Sequence, residues 1–155
     1  MSETAQRITD STTCSFIRKA TAEDAEFLAW VVLAASRGHL AKGWFDIALH
    51  QSEDGCLRLL RSLTTTTALS RWHYSRFLVV ESAGSPAAAL CAFRAADAYL
   101  ASPVAITEAA QSVGLTRAEL AQIWSRGAYQ FSCSRRPADD CWVLESIAKI
   151  GRAHV

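Results

Sequence analysis

The segment RFLVVESAGSPAAALCAF, residues 76–93, constrains the fold of this chain most strongly. Aromatic and β-branched residues fill RFLVVES, the short stretch AGS contains a glycine, and PAAALCAF then resumes a strand-like pattern. Pro86 is tolerated at the first position of the second strand, where a lost N–H donor matters least. The segment therefore predicts a β-hairpin, and with it a sheet that is antiparallel at least in part.

Two further segments have the composition of strands. SFIRK, residues 15–19, comes before the first helical pattern, and CWVLESIA, residues 141–148, is apolar apart from Glu145 and Ser146. Runs that are apolar on both faces are typical of strands with neighbours on each side. We therefore expect the second segment to be a central strand.

Helices are predicted between these strands. Thr21 and Asp24 have the spacing of a capping box ahead of the apolar run AEFLAWVVLAAS, and Arg37 followed by Gly38 is a helix stop signal. The stretch WFDIALH predicts a short helix after it.

The segment EDGCLRLLRSL predicts a longer helix, with Ser52 as its N-cap and with Leu57, Leu60 and Leu63 on one stripe. Four consecutive threonines at residues 64–67 lower helix propensity because their side chains branch at Cβ. A loop is expected there.

After the hairpin, Ser102 is expected to cap a helix that Gly114 ends, and Thr116 with Glu119 opens another helix that runs to about Phe131. The element order is strand, several helices, two strands, two helices, strand. It predicts a layered α/β domain in which helices flank a mixed, mostly antiparallel sheet.

Composition narrows the class of protein. Half of the 155 residues (50%) are apolar, which suits one domain with a sizeable core. A net charge of +1 lacks the excess expected of a nucleic-acid binder, and the sequence shows neither a membrane span nor a signal peptide. Residues 1–14 are polar and expected to be flexible. These observations predict a cytoplasmic protein.

The cysteines and histidines indicate neither a disulfide framework nor a metal site. The five cysteines have irregular spacing, and the four histidines lack ligand spacing. Cys91 and Cys141 fall in strand-like sequence and are expected to pack as small apolar side chains.

The joint order of these segments resembles the GNAT superfamily, the acyl-CoA-dependent N-acetyltransferases. FIRKATAEDAEFLAWVVLAASRGHL is similar to the family's first strand and its lead into helix one, RFLVVESAGSPAAALCAF to strands two and three, and WVLESIA to strand four. GHLAKGWFDIAL is similar to a subgroup with an enlarged helical region. The resemblance implies a partial GNAT-like domain over residues 15–149, with acetyl-CoA as co-substrate and an amine, on a small molecule or a peptide, as acceptor.

The family's phosphate-binding loop has no counterpart in KIGRAHV, where Gly151 is followed by a single cation. A diphosphate is held by several converging backbone amides and a helix N-terminus, so this stretch provides no cradle for it. IGRAHV, residues 150–155, is similar to a translated sequencing adapter. We therefore expect a non-native tail on a chain truncated after strand four, with the C-terminal part of the fold missing and no useful turnover.

Glu145 is the candidate general base. An ionised carboxylate inside an apolar strand is costly unless it is paired, so its pKa is expected to rise. The resemblance implies that Glu145 removes a proton from the acceptor amine, because a strand-four glutamate often has that role in the family. The alternative is a structural ion pair with an arginine such as Arg76 or Arg94.

Three further candidate residues concern the co-substrate. The resemblance implies that the backbone of Ile147, Ala148 and Lys149 binds the pantetheine arm of acetyl-CoA, and ordinary strand pairing is the alternative.

A group of residues could line an acceptor pocket, since aromatic rings and an acid suit an amine. It comprises Trp44, Asp46, Trp72, His73, Tyr74 and Arg76. Of these, Trp44, Asp46 and Tyr74 are the predicted acceptor-binding residues; core packing is the alternative for the aromatic ones.

The sequence thus predicts a GNAT-type N-acetyltransferase that transfers an acetyl group directly from acetyl-CoA to a primary amine, without a metal. The alternative is a non-catalytic α/β ligand-binding or protein-interaction module that completes its sheet by oligomerisation.

Overall fold

The computed structural model describes residues 15–130 and 137–150. The flexible segment predicted at residues 1–14, and residues 151–155 of the predicted tail, lie outside the described residues. The strands are β1 Ser15–Lys19, β2 Phe77–Ser82, β3 Ser85–Arg94 and β4 Trp142–Lys149. The α-helices are α1 Ala25–Arg37, α2 Trp44–Leu49, α3 Glu53–Leu63, α4 Ala95–Ala98, α5 Ser102–Ser112 and α6 Arg117–Gly127.

The four strands form one sheet in the order β1–β2–β3–β4, and each neighbouring pair is antiparallel. The predicted α/β class, an antiparallel sheet flanked by helices, is confirmed. The predicted hairpin joins β2 to β3, with Ala83 and Gly84 as a two-residue turn. Both turn residues have positive φ, 52° and 77°, as a type I′ turn requires.

β4 lies at one edge of the described sheet, whereas the sequence predicted a central strand. Among the described strands it pairs with β3 alone, and its side chains Leu144 and Ile147 are 64% and 63% exposed. An apolar run predicts a strand but not the number of its neighbours, because strand partners are distant along the chain. The described sheet therefore has an open edge that carries solvent-exposed apolar side chains.

Helices cover one face of the sheet. Phe77 and Val79 of β2 and Cys91 and Phe93 of β3 alternate along their strands and are almost fully buried. They belong to the same core cluster as the buried face of α1, which packs over β3 and β4 and against α3. The opposite face is more open, and Leu78 is 38% exposed there.

The sequence signals at both ends of α1 are confirmed. Thr21 and Asp24 form a capping box at the 3₁₀ turn Ala22–Asp24 that leads into α1, in which the Thr21 N–H donates to Asp24 Oδ2 over 2.8 Å. The guanidinium of Arg18 in β1 also donates to both oxygens of Asp24 over 2.8 Å, so the strand and the helix are joined directly. At the other end, Gly38 follows Arg37 with a positive φ of 56°.

The apolar stripe of α3 differs by one position from the prediction. The buried residues are Cys56, Leu59, Leu60 and Leu63, which follow the i, i+3, i+4, i+7 spacing of one helix face. Leu57 lies next to this face and is only half-buried.

Two of the other three predicted caps are confirmed. Ser52 Oγ accepts from a backbone N–H at the start of α3, and Thr116 and Glu119 form the capping box of α6. Ser102 is not a cap. It is the first residue of α5, and its hydroxyl donates to the carbonyl of Ala98, the last residue of α4, over 3.2 Å.

Three further details correct the sequence reading. The helix at Ala95–Ala98 was not predicted, and α6 ends at Gly127, whereas its predicted end, Phe131, lies outside the described residues. Cys91 is buried as expected, but Cys141 is exposed because it comes just before β4 begins.

Candidate active site

A cleft of about 200 Å³ opens on the helix-covered side of β4, between α1 and α2. Its walls combine aromatic and charged side chains with the backbone turn that follows Glu145. They include Trp44, Phe45, Arg71, Trp72, Glu145 and Ser146. The cleft therefore contains the predicted general base together with one of the three predicted acceptor-binding residues, Trp44.

Glu145 lies in β4 opposite the fully buried Cys91. Its side chain is 24% exposed, and its Oε2 accepts one hydrogen bond from Arg71 Nη1 over 3.4 Å. Burial raises the pKa of the Glu145 carboxyl, and the positive charge of Arg71 opposes this rise. The expected ion-pair partners, Arg76 and Arg94, are replaced by Arg71, which approaches from the loop before β2.

A β-bulge follows Glu145 immediately. Between the pairs Cys91–Glu145 and Ala89–Ala148, one residue of β3 faces two residues of β4, and Ser146 has a positive φ of 51°. A bulge re-aims the side chains beside it and interrupts strand pairing. Here it separates the carboxylate in the cleft from the last residues of the strand.

After the bulge, some backbone groups of β4 pair with β3 and others face the open edge of the sheet. Ile150 N–H donates to the Ala87 carbonyl over 2.7 Å. Because successive residues of a strand point their polar groups to opposite edges, the backbone of Ala148 faces β3 and that of Lys149 faces away. Among the described strands none covers that edge, so a ligand can reach Lys149 and the exposed Ile147.

The aromatic wall is held by contacts within the fold. The rings of Trp44 and Phe45 meet edge to face with centroids 4.9 Å apart, and those of Phe45 and Trp72 are 5.7 Å apart. Trp44 Nε1 donates to the Gly127 carbonyl of α6 over 3.0 Å. These rings are therefore fixed in place as a preformed apolar surface.

Arg71 is held between two aromatic rings. Its Cζ lies 4.3 Å from the Trp72 ring centroid and 5.2 Å from that of Tyr99, within cation–π distance of both. The Arg71 carbonyl accepts from Cys91 Sγ over 2.9 Å. The Nε atom of Arg71 is buried without a hydrogen-bond partner among the described residues.

The structure does not bring Asp46 or Tyr74 to the cleft. Asp46 accepts from Arg37 over 2.7 and 3.0 Å and from the Gly43 N–H over 2.8 Å, where α2 begins. The hydrogen bonds from Arg37 lower the pKa of this carboxyl. Tyr74 is half-buried, and its ring packs against His73 at 4.3 Å. Both side chains have structural contacts elsewhere.

Sequence reasoning missed Arg71 and Phe45. Phe45 is adjacent to Trp44 in an aromatic pair, so the pair itself was an available signal. Arg71 had none, since its relation to Glu145 joins residues that are 74 positions apart. Trp72, which was considered as a pocket residue, does line the cleft.

No family model and no curated protein matches the chain. Two solved structures do. One, described as an acetyltransferase, is 29% identical, with a TM-score of 0.54 over 65% of this chain and 50% of that chain. The other, an N-acetyltransferase from Staphylococcus aureus Mu50, is 20% identical, with a TM-score of 0.62 over 87% of this chain and 65% of that chain.

The chain therefore has a GNAT-like acetyltransferase fold, as its resemblance to that superfamily predicted. It spans half of one matched structure and somewhat less than two thirds of the other. Within residues 15–130 and 137–150, no group of three side chains is placed to hold a metal ion, and none of the helices there has the length and apolarity to cross a membrane.

Proposed function

We propose that the protein is an N-acetyltransferase of the GNAT type that transfers an acetyl group from acetyl-CoA to a primary amine. The observation that carries this proposal is the position of Glu145. Its carboxylate lies in an aromatic-lined cleft, one residue before a bulge and beside an open strand edge. The two matched acetyltransferase structures support the same class of reaction.

Glu145 acts as the general base in this proposal. An acceptor amine enters as an ammonium ion, which the aromatic rings of Trp44 and Trp72 attract and which Glu145 deprotonates. The raised pKa of Glu145 brings the carboxylate closer to the basicity that proton removal requires. The freed nitrogen then forms the amide bond as the carbon–sulfur bond of the thioester breaks, and the sulfur takes up a proton.

The edge of β4 is where the co-substrate arm fits. Acetyl-CoA supplies the acetyl group as an activated thioester. The outward-facing backbone of Lys149 can pair with an extended arm as a neighbouring strand would, and the exposed Ile147 offers it an apolar contact. Ala148 is held by β3 and keeps this segment in register.

Product formation tests this proposal. Purified chain is incubated for hours with acetyl-CoA at millimolar concentration and a panel of primary amines, and N-acetylated products are measured by mass spectrometry against enzyme-free controls. The long incubation makes slow turnover measurable. We expect product above background, and we expect Glu145→Gln to reduce the rate about 100-fold or more, as removal of a general base does.

Glu81→Gln is the matched control, because this glutamate binds Arg18 in β1 and lies outside the cleft. It should retain the wild-type rate. Equal rates for wild type, Glu145→Gln and the enzyme-free control would contradict the proposed function. A folded Glu145→Gln variant as fast as the wild type would remove Glu145 from the role of base.

A second candidate function rests on the exposed edge strand. Trp142, Leu144 and Ile147 of β4 are 69%, 64% and 63% exposed, and exposed apolar strand edges promote association. The occupant in this alternative is a second copy of the chain, which pairs edge to edge and completes the sheet. A defined dimer in size-exclusion chromatography that Leu144→Lys converts to monomer, without any acetyl transfer, favours this function.

A further inference from the structure

The guanidinium of Arg71 has more hydrogen-bonding capacity than the described residues use. An arginine carries five N–H donors. Within residues 15–130 and 137–150, only Nη1 of Arg71 has a side-chain acceptor, Glu145, and the buried Nε has none. The group also lines the cleft, so an anionic group of a ligand can reach it.

The contact between Arg71 and Glu145 is weak for a structural ion pair. Arg37 and Asp46 in the same chain form two hydrogen bonds of 2.7 and 3.0 Å, the bidentate geometry of a strong pair. Arg71 and Glu145 make a single contact of 3.4 Å, although both side chains are largely buried. Two opposite charges thus stand side by side in one cleft, each with unused capacity.

We propose that the acceptor is a free α-amino acid with a large apolar side chain. Its carboxylate binds Arg71 and its ammonium group binds Glu145. This inference rests on the proposed function, which assigns the amine to Glu145. One carbon atom separates the two charged groups of an amino acid, so one small ligand reaches both neighbouring residues. Its side chain packs against the aromatic wall of Trp44, Phe45 and Trp72.

Simple amines fit the cleft less well. An amine without a carboxylate gives the cleft-facing part of the Arg71 guanidinium no acceptor beyond its single 3.4 Å contact with Glu145, and an unmade hydrogen bond of a largely buried charge is unfavourable. A carboxylate without an amine leaves Glu145 facing a second negative charge. The ligand that satisfies both residues carries both groups.

Binding measurements test this inference without acetyl transfer. The three probes are L-phenylalanine, phenethylamine, which lacks the carboxylate, and 3-phenylpropanoate, which lacks the amine. Binding to the full chain is followed by isothermal titration and by tryptophan fluorescence, because Trp44 and Trp72 line the cleft. We expect L-phenylalanine to bind at least about tenfold more tightly than either analogue.

Arg71→Gln should weaken binding of L-phenylalanine about tenfold or more and leave phenethylamine binding unchanged or stronger. Arg71→Lys keeps the positive charge, so its affinity for L-phenylalanine should lie between those of the wild type and Arg71→Gln. Arg58→Gln is the control, because this arginine is exposed on α3 outside the cleft. If Arg71→Gln does not fold, the comparison of the three probes on the wild type decides the question.

The outcomes separate the two proposals. If phenethylamine binds as tightly as L-phenylalanine, the amino-acid assignment is wrong, whether or not acetyl transfer is observed. If L-phenylalanine is preferred through Arg71 but no amine is acetylated, the cleft is an amino-acid binding site, but the transferase function and the role of the amino acid as acceptor are contradicted.

Discussion

The indole of Trp44 fits directly against Gly127, whose carbonyl accepts the indole N–H over 3.0 Å. A Cβ atom at Gly127 would lie 2.7 Å from Trp44 Cζ2, closer than two carbon atoms can approach. The end of α6 therefore sets the position of an aromatic wall of the cleft, although α6 carries no candidate catalytic side chain.

Gly127→Ala is expected to displace Trp44 and destabilise the protein. Forcing extra volume into a packed site costs about 1–3 kcal/mol, which outweighs the gain of at most about 1 kcal/mol from alanine in a helix. Urea unfolding measures the loss, and titration with L-phenylalanine measures the weaker binding. Ser125→Ala, an exposed change in the same helix, should alter neither. A Gly127→Ala variant that binds normally would show that the wall does not depend on this contact.

The two capping boxes provide a second prediction. Asp24 and Glu119 each accept the backbone N–H of a capping threonine over 2.8 Å, but Asp24 is buried and also binds Arg18 through two further hydrogen bonds. Asp24→Ala is expected to lower the free energy of unfolding by about 2 kcal/mol, because the partly buried guanidinium of Arg18 loses two short hydrogen bonds and keeps only its contact with Glu81 as a side-chain partner among the described residues. Glu119→Ala should cause a smaller loss.

Chemical denaturation of both variants checks this difference. The result contradicts the structural account if the two losses are equal, since the Arg18 contact would then contribute nothing. Hydrogen bonds from Arg18 hold the pKa of Asp24 below its ordinary value, so its contribution is present at neutral pH and is lost as acid protonates the folded form.

Among the cysteines that the structure describes, thiol reactivity distinguishes the two buried ones from the exposed one. Burial raises the pKa of both Cys56 and Cys91, and their side chains are inaccessible in the folded chain. Native alkylation with iodoacetamide followed by peptide mapping should modify Cys141 and leave Cys56 and Cys91 intact until the protein is unfolded. Rapid native modification of Cys91 would mean that the packing of β3 against α1 is wrong.

The sequence predicted best those features that depend on nearby residues. The capping boxes at Thr21–Asp24 and Thr116–Glu119 and the hairpin turn at Ala83 and Gly84 are set by side chains within a few positions. Glu145 was identified as a candidate site residue because a carboxylate in an apolar strand is unusual, whether the strand is central or at an edge of the sheet.

Features that depend on distant residues were not predicted. The partner of Glu145 is Arg71 rather than Arg76 or Arg94. The loop before β2, which carries Arg71, lies beside β4 in the fold, although the two segments are far apart in the sequence. The edge position of β4 was missed for the same reason. Asp46 was predicted to bind the acceptor, but it lies in the first turn of α2 and forms an ion pair with Arg37, so its role in the structure is to stabilise the fold.

The pH dependence of stability provides the last prediction. Burial raises the pKa of Glu145 in the folded chain, and the positive charge of Arg71, from the loop before β2, opposes this rise. Cys91 faces Glu145 from β3, but burial raises the pKa of its thiol, which therefore stays neutral. Between the unfolded pKa of about 4.3 and the higher folded value, the folded state binds more protons than the unfolded state. Stability from this residue therefore falls as pH rises through that window.

Glu145→Gln removes this titration. The free energy of unfolding of the wild type, relative to that of Glu145→Gln, should decrease as the pH rises from about 4 through the raised pKa of the folded chain. Arg71→Gln removes the opposing positive charge, so in that variant the decrease should be larger and extend to higher pH. Urea denaturation of the three proteins across this range measures both effects. A wild-type stability that instead rises with pH relative to Glu145→Gln would mean that Arg71 outweighs burial, and Glu145 would then be a paired structural carboxylate rather than a base.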